Sequence, residues 1–212
     1  MLILGLDTAL EHCSVAISKN GEQIYSASLY APNSQAEEIA PMVERSMAQA
    51  QIAAKDLSRI IVTTGPGSFT GVRVGLAFAK SLALAIAVPC VGVSTLEVFA
   101  MQSAAAKAIP LINVAGSVFY AVYQGREEIV APTRATDFSF LEKHENDFVL
   151  VGPAAIKAQE FYPQFGVINQ AEINPFVLAS YGAHLPISQK AEPLYLRGAD
   201  AKLWKGARLE QN

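Results

Sequence analysis

The spacing of hydrophobic and polar positions along this chain changes from strand-like to helical within the first forty or so residues. Residues 2–6, Leu-Ile-Leu-Gly-Leu, form a short apolar run that ends at Asp7-Thr8, and residues 13–18 alternate with the period of two expected of a strand. Lys19-Asn20-Gly21-Glu22 supplies a hairpin turn, Asn-Gly being the favoured pair, and residues 23–29 return as a third strand. The period then becomes helical. Ser34-Gln35-Ala36-Glu37 matches the capping-box pattern, and Ala36, Ile39, Ala40, Val43, Met47 and Ala50 form an apolar face, with Pro41 expected to bend the helix. The β-branched run at 60–64 predicts a buried strand, Gly65-Pro66-Gly67 a sharp turn, Ser68 a helix cap, and 69–87 a second helix. Residues 90–93 read as a strand, and Ser94-Thr95-Leu96-Glu97 repeats the capping pattern before a helix through 106.

Three meandering strands followed by alternating helices and strands make a βββαβαβα order, which points to an α/β sheet covered by helices. The second half is fainter. Residues 109–114 and 118–124 pair as strands around Ala115-Gly116-Ser117, 148–151 is a strand ending at Gly152-Pro153, and 156–161 a short helix. Residues 176–184 read as a helix and 191–197 as an extended segment. Strands followed by helices thus recur in eroded form, as in a duplicated fold. The division falls between 101 and 109, giving subdomains 1–104 and 105–212.

The second helix has an unusual face. Gly71, Gly75, Ala79, Ala83 and Ala87 recur every fourth residue, with Val74, Phe78 and Leu82 supplying bulk beside them. Small residues in register let another helix come close, and a glycine in a helix costs about 1 kcal/mol against alanine, so a packing constraint is implied. Two readings stand: a core helix of this chain, or a helix shared with a partner protein. The preceding turn also reads in two ways. Gly65, Gly67 and Ser68 at a helix N-terminus present amides and a dipole that suit an anion; they equally make a tight strand-to-helix connection. The spacing is neither a Walker loop nor GxGxxG.

Composition narrows the class. At 51% apolar and 17% charged, the chain suits a tightly packed globule with a substantial core. The longest apolar run, 82–93, is broken by Pro89, and Asp7 interrupts the N-terminal one, so neither a membrane span nor a secretory signal is expected. Cys13 and Cys90 lack metal-like spacing and suit buried thiols in the cytoplasm. A net charge of −3 argues against a chain that grips nucleic acid unaided. His12, His144 and His184 lie far apart, and no metal site is expected. The basic tail around Lys202, Trp204, Lys205 and Arg208, with its one aromatic, reads as a solvated terminus, the alternative being a segment that grazes RNA.

Four stretches together resemble one family. Leu4-Gly5-Leu6-Asp7-Thr8-Ala9 followed by Cys13-Ser14-Val15-Ala16 is similar to the opening of the TsaB (YeaZ) family, and the segment Gly65-Pro66-Gly67-Ser68-Phe69-Thr70-Gly71-Val72-Arg73-Val74-Gly75 resembles its signature. Val91-Gly92-Val93-Ser94-Thr95-Leu96 and Ala191-Glu192-Pro193-Leu194-Tyr195-Leu196-Arg197 are similar to two later landmarks, in the same order along the chain.

The resemblance implies an actin-like ATPase (ASKHA) fold and a noncatalytic role beside TsaD, which transfers a threonylcarbamoyl group to the adenosine next to the tRNA anticodon. It also implies TsaE as a further member of the complex, tRNA contact only through that complex, and a homodimer when TsaD is absent. The first two long helices pair with those of TsaD, which places Ile39, Val43, Met47, Gly71, Val74, Gly75, Phe78, Ala79 and Leu82 at the interface. The fold leaves a cleft at Asp7, Thr8, Gly65, Gly67 and Ser68 with weak nucleotide binding, and no other cofactor. The chain departs from the family where Gln35 replaces a frequent histidine and where the region 111–120 lacks an Asp, an Arg and a Glu. The competing class is an enzyme in its own right, a peptidase or phosphotransferase of the same fold.

Overall fold

The structure, a computed structural model, describes residues 1–196; Arg197 and the basic tail lie outside the described residues. β1 (Leu2–Asp7), β2 (His12–Lys19) and β3 (Glu22–Tyr30) form an antiparallel meander. β4 (Arg59–Thr63) and β5 (Cys90–Val93) then add in parallel on the far side of β1, giving the order β3-β2-β1-β4-β5. Asn20 and Gly21, at φ 53° and 90°, turn the first hairpin as Asn-Gly predicts. All six residues of β1 are buried, because α1 (Gln35–Gln49) and α2 (Phe69–Ala85) cover one face of this sheet and α5 (Pro175–Gly182) the other. A strand covered on both faces reads as a continuous apolar run rather than an alternation.

The second sheet repeats the first. β6 (Lys107–Val114), β7 (Ser117–Gln124) and β8 (Glu127–Ala135) form the meander, and β9 (Val149–Val151) and β10 (Gly166–Ile168) add in parallel beside β6. The order β8-β7-β6-β9-β10 has the connectivity of the first sheet. What has eroded is the helical layer. The 15-residue α1 corresponds to a five-residue 3-10 turn at Ser139–Lys143, and the 17-residue α2 to the seven-residue α4 (Ala155–Phe161). β8 and β10 escape the hydrophobic pattern, the first because it is a half-exposed edge carrying two glutamates and a proline, the second because it is three residues long.

The strands divide between Val93 and Lys107, but the helices do not. α3 (Thr95–Ser103) follows β5 yet packs on β6, β7 and β9; α5 follows β10 yet packs on β1 and β2. The cluster of Ile61, Val93, Leu96, Phe99, Ile112, Leu178 and Ala179 therefore joins the halves. α3 stops at Ser103, short of the expected 106, because Ala104 turns left-handed at φ 53°.

Two local expectations are corrected. The Ser34 side chain makes no capping bond, and neither does that of Ser94. Ala36 and Ala40 are exposed, since α1 meets the sheet along Gln35, Ile39, Met42, Val43 and Ser46. The Ser68 cap is present, its hydroxyl accepting from the Gly71 amide at 3.3 Å.

Candidate functional site

The loop after β4 and the first turns of α2 meet the turn after β1. Gly71 and Gly75 fall on one side of α2 because they are spaced by four, and that side lies against Thr8, while Gly67, in the loop just ahead of the Ser68 cap, lies against Ala9. A Cβ on any of the three would stand under 3.0 Å from Ala9 O, Thr8 O and Thr8 Oγ1 respectively. Hydrogen bonds hold the approach: Thr8 Oγ1 donates to Gly71 O at 2.8 Å, and the Ser68 amide donates to Ala9 O at 2.7 Å. The small-residue stripe is therefore a track for this chain's own β1–β2 turn. Ala79 and Ala83 continue it beneath the sheet and are buried, while Ala87 lies past the helix at φ 56°.

This corrects part of the expected interface. Gly71, Gly75 and Ala79, with Ile39 and Val43 of α1, are buried inside the chain. The spacing demanded a close neighbour, and the neighbour is intramolecular.

Asp7 is 1% exposed. Its Oδ1 accepts from Thr63 Oγ1 at 2.5 Å and from the Ala9 amide at 3.1 Å, while Oδ2 is buried with no partner among the described residues. Burial pushes the carboxyl up to about 6, against the pull of Thr63 and the amide. Thr8, Gly67 and Ser68 come together with Asp7 around the β1–β2 turn as a packed junction, while Gly65 lies against Val72 and Leu194. The amides of Ser68 and Gly71 are spent on Ala9 O and Ser68 Oγ, which leaves the α2 terminus with fewer donors for an anion.

The other side of the helical layer is open. On α2, Thr70, Arg73, Ala77, Lys80, Ser81, Leu84 and Ala85 are exposed, and Val74, Phe78 and Leu82 are half-buried between them. Leu84 is 85% exposed, the most of any large hydrophobic among the described residues. On α1, Ala36, Ala40, Pro41, Glu44 and Ala48 face out, with Met47 half-buried. The two helices touch each other and together offer a broad surface on which alanines, Leu84 and the half-buried apolar side chains alternate with exposed Glu37, Glu44, Arg45, Arg73 and Lys80. At its edge the Arg73 guanidinium lies 3.6 Å from the Phe69 ring centroid, and its Nε donates to Tyr195 Oη at 2.8 Å.

Comparison with known proteins places this arrangement. The profile of the family TsaD, tRNA N6-adenosine threonylcarbamoyltransferase, matches residues 30–166. The Escherichia coli tRNA threonylcarbamoyladenosine biosynthesis protein TsaB is 36% identical over 97% of this chain and 97% of its own length. The chain belongs to the TsaB family. Another TsaB, from Buchnera aphidicola, is 38% identical over 102 residues, so that match spans only about half its length, 48%. YeaZ from Pseudomonas aeruginosa shares the TsaB fold, with a TM-score of 0.75 at 24% identity over 92% of this chain and 99% of that one. The activator of 2-hydroxyisocaproyl-CoA dehydratase from Clostridium difficile superposes with a TM-score of 0.55 at 10% identity, covering 86% and 94%. The fold is that of the actin-like ATPases, in two related halves.

The departures from the TsaB pattern now have structural positions. Gln35 is buried, and its Nε2 donates to Leu10 O at 2.8 Å, so it ties α1 to the β1–β2 turn. The hairpin between β6 and β7 turns on Ala115 and Gly116, with Arg134 Nε donating to Ser117 Oγ at 3.1 Å. The histidines stay apart: His12 is 3.6 Å from Glu172, His144 stacks edge-on against Phe148, and His184 follows α5. Among the described residues, no three His, Cys, Asp or Glu side chains gather as a metal site, and no helix is long and apolar enough to cross a membrane.

Two features had no signal in the sequence. One is the Arg73–Tyr195 contact, which joins residues more than a hundred positions apart. The other links α3 and α5: Tyr181 Oη donates to Glu97 Oε1 at 2.5 Å, and burial raises the Glu97 carboxyl. The exposed apolar side of α2 leaves a fainter trace. The outward row Val74, Ala77, Phe78, Ser81 and Leu84 has helical spacing too, one step round from the glycines.

Proposed function

We propose that this chain is a noncatalytic subunit of the machinery that forms threonylcarbamoyladenosine next to the anticodon of tRNA, and that it offers the outer faces of α1 and α2 to TsaD. The observation that carries this reading is the open helical face itself. Met47, Val74, Phe78 and Leu82 are half-buried in a layer whose exposed residues include Ala40, Ala77, Ser81, Leu84 and Ala85, with Glu44, Arg45, Arg73 and Lys80 among them. Small outer residues let two more helices settle close, and the apolar ones give them area to cover. The interface thus keeps four of the residues expected from the sequence and exchanges the buried ones for their outward neighbours.

Membership of the TsaB family supports the pathway, and the match to the TsaD profile supports two proteins of one fold pairing through equivalent helices. In this reading TsaE joins the pair, tRNA is met through the assembly, the work is done in the cytoplasm, and a second copy takes TsaD's place when TsaD is absent. The chain needs no cofactor of its own for that role, and the packed junction at Asp7 and Thr8 does not favour a nucleotide site.

The test is calorimetric titration of TsaD with the wild type and with Leu84→Glu. Covering a leucine is worth about 2 kcal/mol, so Leu84→Glu is expected to weaken binding by roughly thirtyfold or more. Its thermal unfolding should stay unchanged, since residue 84 is 85% exposed. Unchanged affinity for TsaD would overturn the helical interface. Threonylcarbamoyl transfer by the purified chain alone would overturn the noncatalytic role.

A further inference from the structure

The two sheets present four edges, and three are managed. β5 is bridged by the segment ahead of Ala191: Lys190 pairs antiparallel with Val91, and Gln189 Nε2 donates to Gly92 O at 2.7 Å. β10 is only three residues long. β8 carries Glu127, Glu128, Pro132 and Arg134 and meets β7 through two irregularities. Shortness, charge, proline and bulges are the usual ways in which an edge avoids foreign pairing.

β3 is guarded by little of this. It is nine residues long, and its single irregularity falls near Ile24, after which the pairing with β2 runs unbroken from Tyr25 to Tyr30. No charge and no proline occurs from Gln23 to Tyr30; the charge that reaches this strand is the Glu172 carboxylate, which accepts from Ser28 Oγ. Among the described residues, no backbone group of 23–30 bonds to a strand other than β2. Ile24, Leu29 and Tyr30 are 40%, 39% and 60% exposed.

We propose that β3 pairs with β3 of a second copy of this chain, antiparallel across a two-fold axis at Ala27. A free row of N–H and C=O groups is completed by another extended strand. The residues around Ala27 make a second copy the fitting occupant. Two-fold pairing there sets Tyr25 opposite Leu29, Ser26 opposite Ser28 and Ile24 opposite Tyr30. Every opposed pair is uncharged, and the two aromatic–aliphatic ones are of the kind that stabilises cross-strand contacts. Such a contact is isologous and closes on itself, leaving neither copy with a free β3. The first sheet then runs continuously through both copies. The proposed helical contact uses the outer side chains of α1 and α2 and this one the backbone edge of β3, so this inference does not rest on the role proposed above.

The experiment is sedimentation equilibrium across the micromolar range on full-length chain carrying Leu84→Glu, which removes pairing through the helices. That chain is expected to dimerise. Adding Ile24→Lys with Tyr30→Lys sets like charges opposite one another at both ends of the pairing, and the corresponding double glutamate does the same with the other sign. Each is expected to raise the dimer dissociation constant about tenfold or more, and an equal mixture of the two is expected to recover a heterodimer. A Leu84→Glu chain that stays monomeric, charged variants that dimerise undiminished, or a mixture that fails to recover would each overturn the proposal. Amide exchange on the unsubstituted strand gives a readout that needs no charged variant. Outward amides among residues 25–30 should slow as concentration rises, and exchange independent of concentration would overturn the proposal as well.

Discussion

The glycine track can be tested by adding one methyl group and taking away the atom it meets. In Gly75→Ala the new Cβ falls under 3.0 Å from Thr8 Oγ1, while its next neighbours, Thr8 Cβ and Val62 Cγ2, stand at an ordinary 3.7 Å. Overpacking of this kind costs about 1–3 kcal/mol, and alanine returns about 1 kcal/mol of helix propensity, so a net loss of roughly 1 kcal/mol is expected. Thr8→Ala removes the clashing oxygen. Alone it loses the hydrogen bond to Gly71 O and some buried methyl area, together about 2 kcal/mol. In the double variant the clash is gone and the propensity gain remains. Its loss should fall below the sum of the two singles by about 2 kcal/mol, well outside the additivity of distant sites. Gly71→Ala is the control, because its Cβ would meet the backbone oxygen of Thr8, which no substitution at position 8 removes. Urea unfolding followed by far-ultraviolet circular dichroism supplies the four free energies. Additive losses for the Gly75–Thr8 pair, or equal coupling for Gly71, would refute the account of the track. The same geometry bars Gly75→Leu as a probe of partner binding, since the larger side chain would break the chain's own junction first.

The remaining predictions concern charge. Burial raises Asp7 from 3.8 to about 6, so the folded state holds a proton that the unfolded state has already released in that interval. Stability from this group is full below pH 4 or so and falls as pH rises through 6, by about 3 kcal/mol at most at 1.36 kcal/mol for each unit of pKa. Asp7→Asn should flatten this slope in urea unfolding measured from pH 4 to 7, and an unchanged slope would remove Asp7 as its source. Arg59 Nη1 donates to the carbonyls of Gly182, Ala183 and Leu185 at 3.0, 3.0 and 2.9 Å, closing the C-terminal end of α5. Arg59→Ala should cost about 2 kcal/mol and speed amide exchange in α5 ahead of the rest of the chain; uniform exchange would show that the guanidinium does not hold that end.

Much of the fold was legible because each of its signals is local. The Asn20-Gly21 hairpin, the Ser68 cap and the strand at Cys90–Val93 each depend on a few consecutive side chains. The cap at Ser34 failed because its backbone lies at φ −115° and ψ 11°, away from the extended conformation that aims a capping side chain at the first amides; the inward turn of Gln35 to Leu10 O depends on a turn far back in the chain. β8 was missed because a half-exposed edge strand has only one face to keep apolar, and three residues of β10 are too few to show a period. The exchange of α3 and α5 between the sheets is likewise unreadable, since a helix that fits either sheet carries the same apolar pattern.

By itself, the sequence determined that α2 must carry a close neighbour along Gly71, Gly75, Ala79 and Ala83, because only an absent side chain lets two backbones come so near. Tertiary structure alone decided which backbone that is. The β1–β2 turn fills the space, and the open side of the helix begins one residue further round, at Val74, Ala77, Phe78 and Leu84. A helical period records which residues share a side, but the direction each side faces is set by the sheet beneath it.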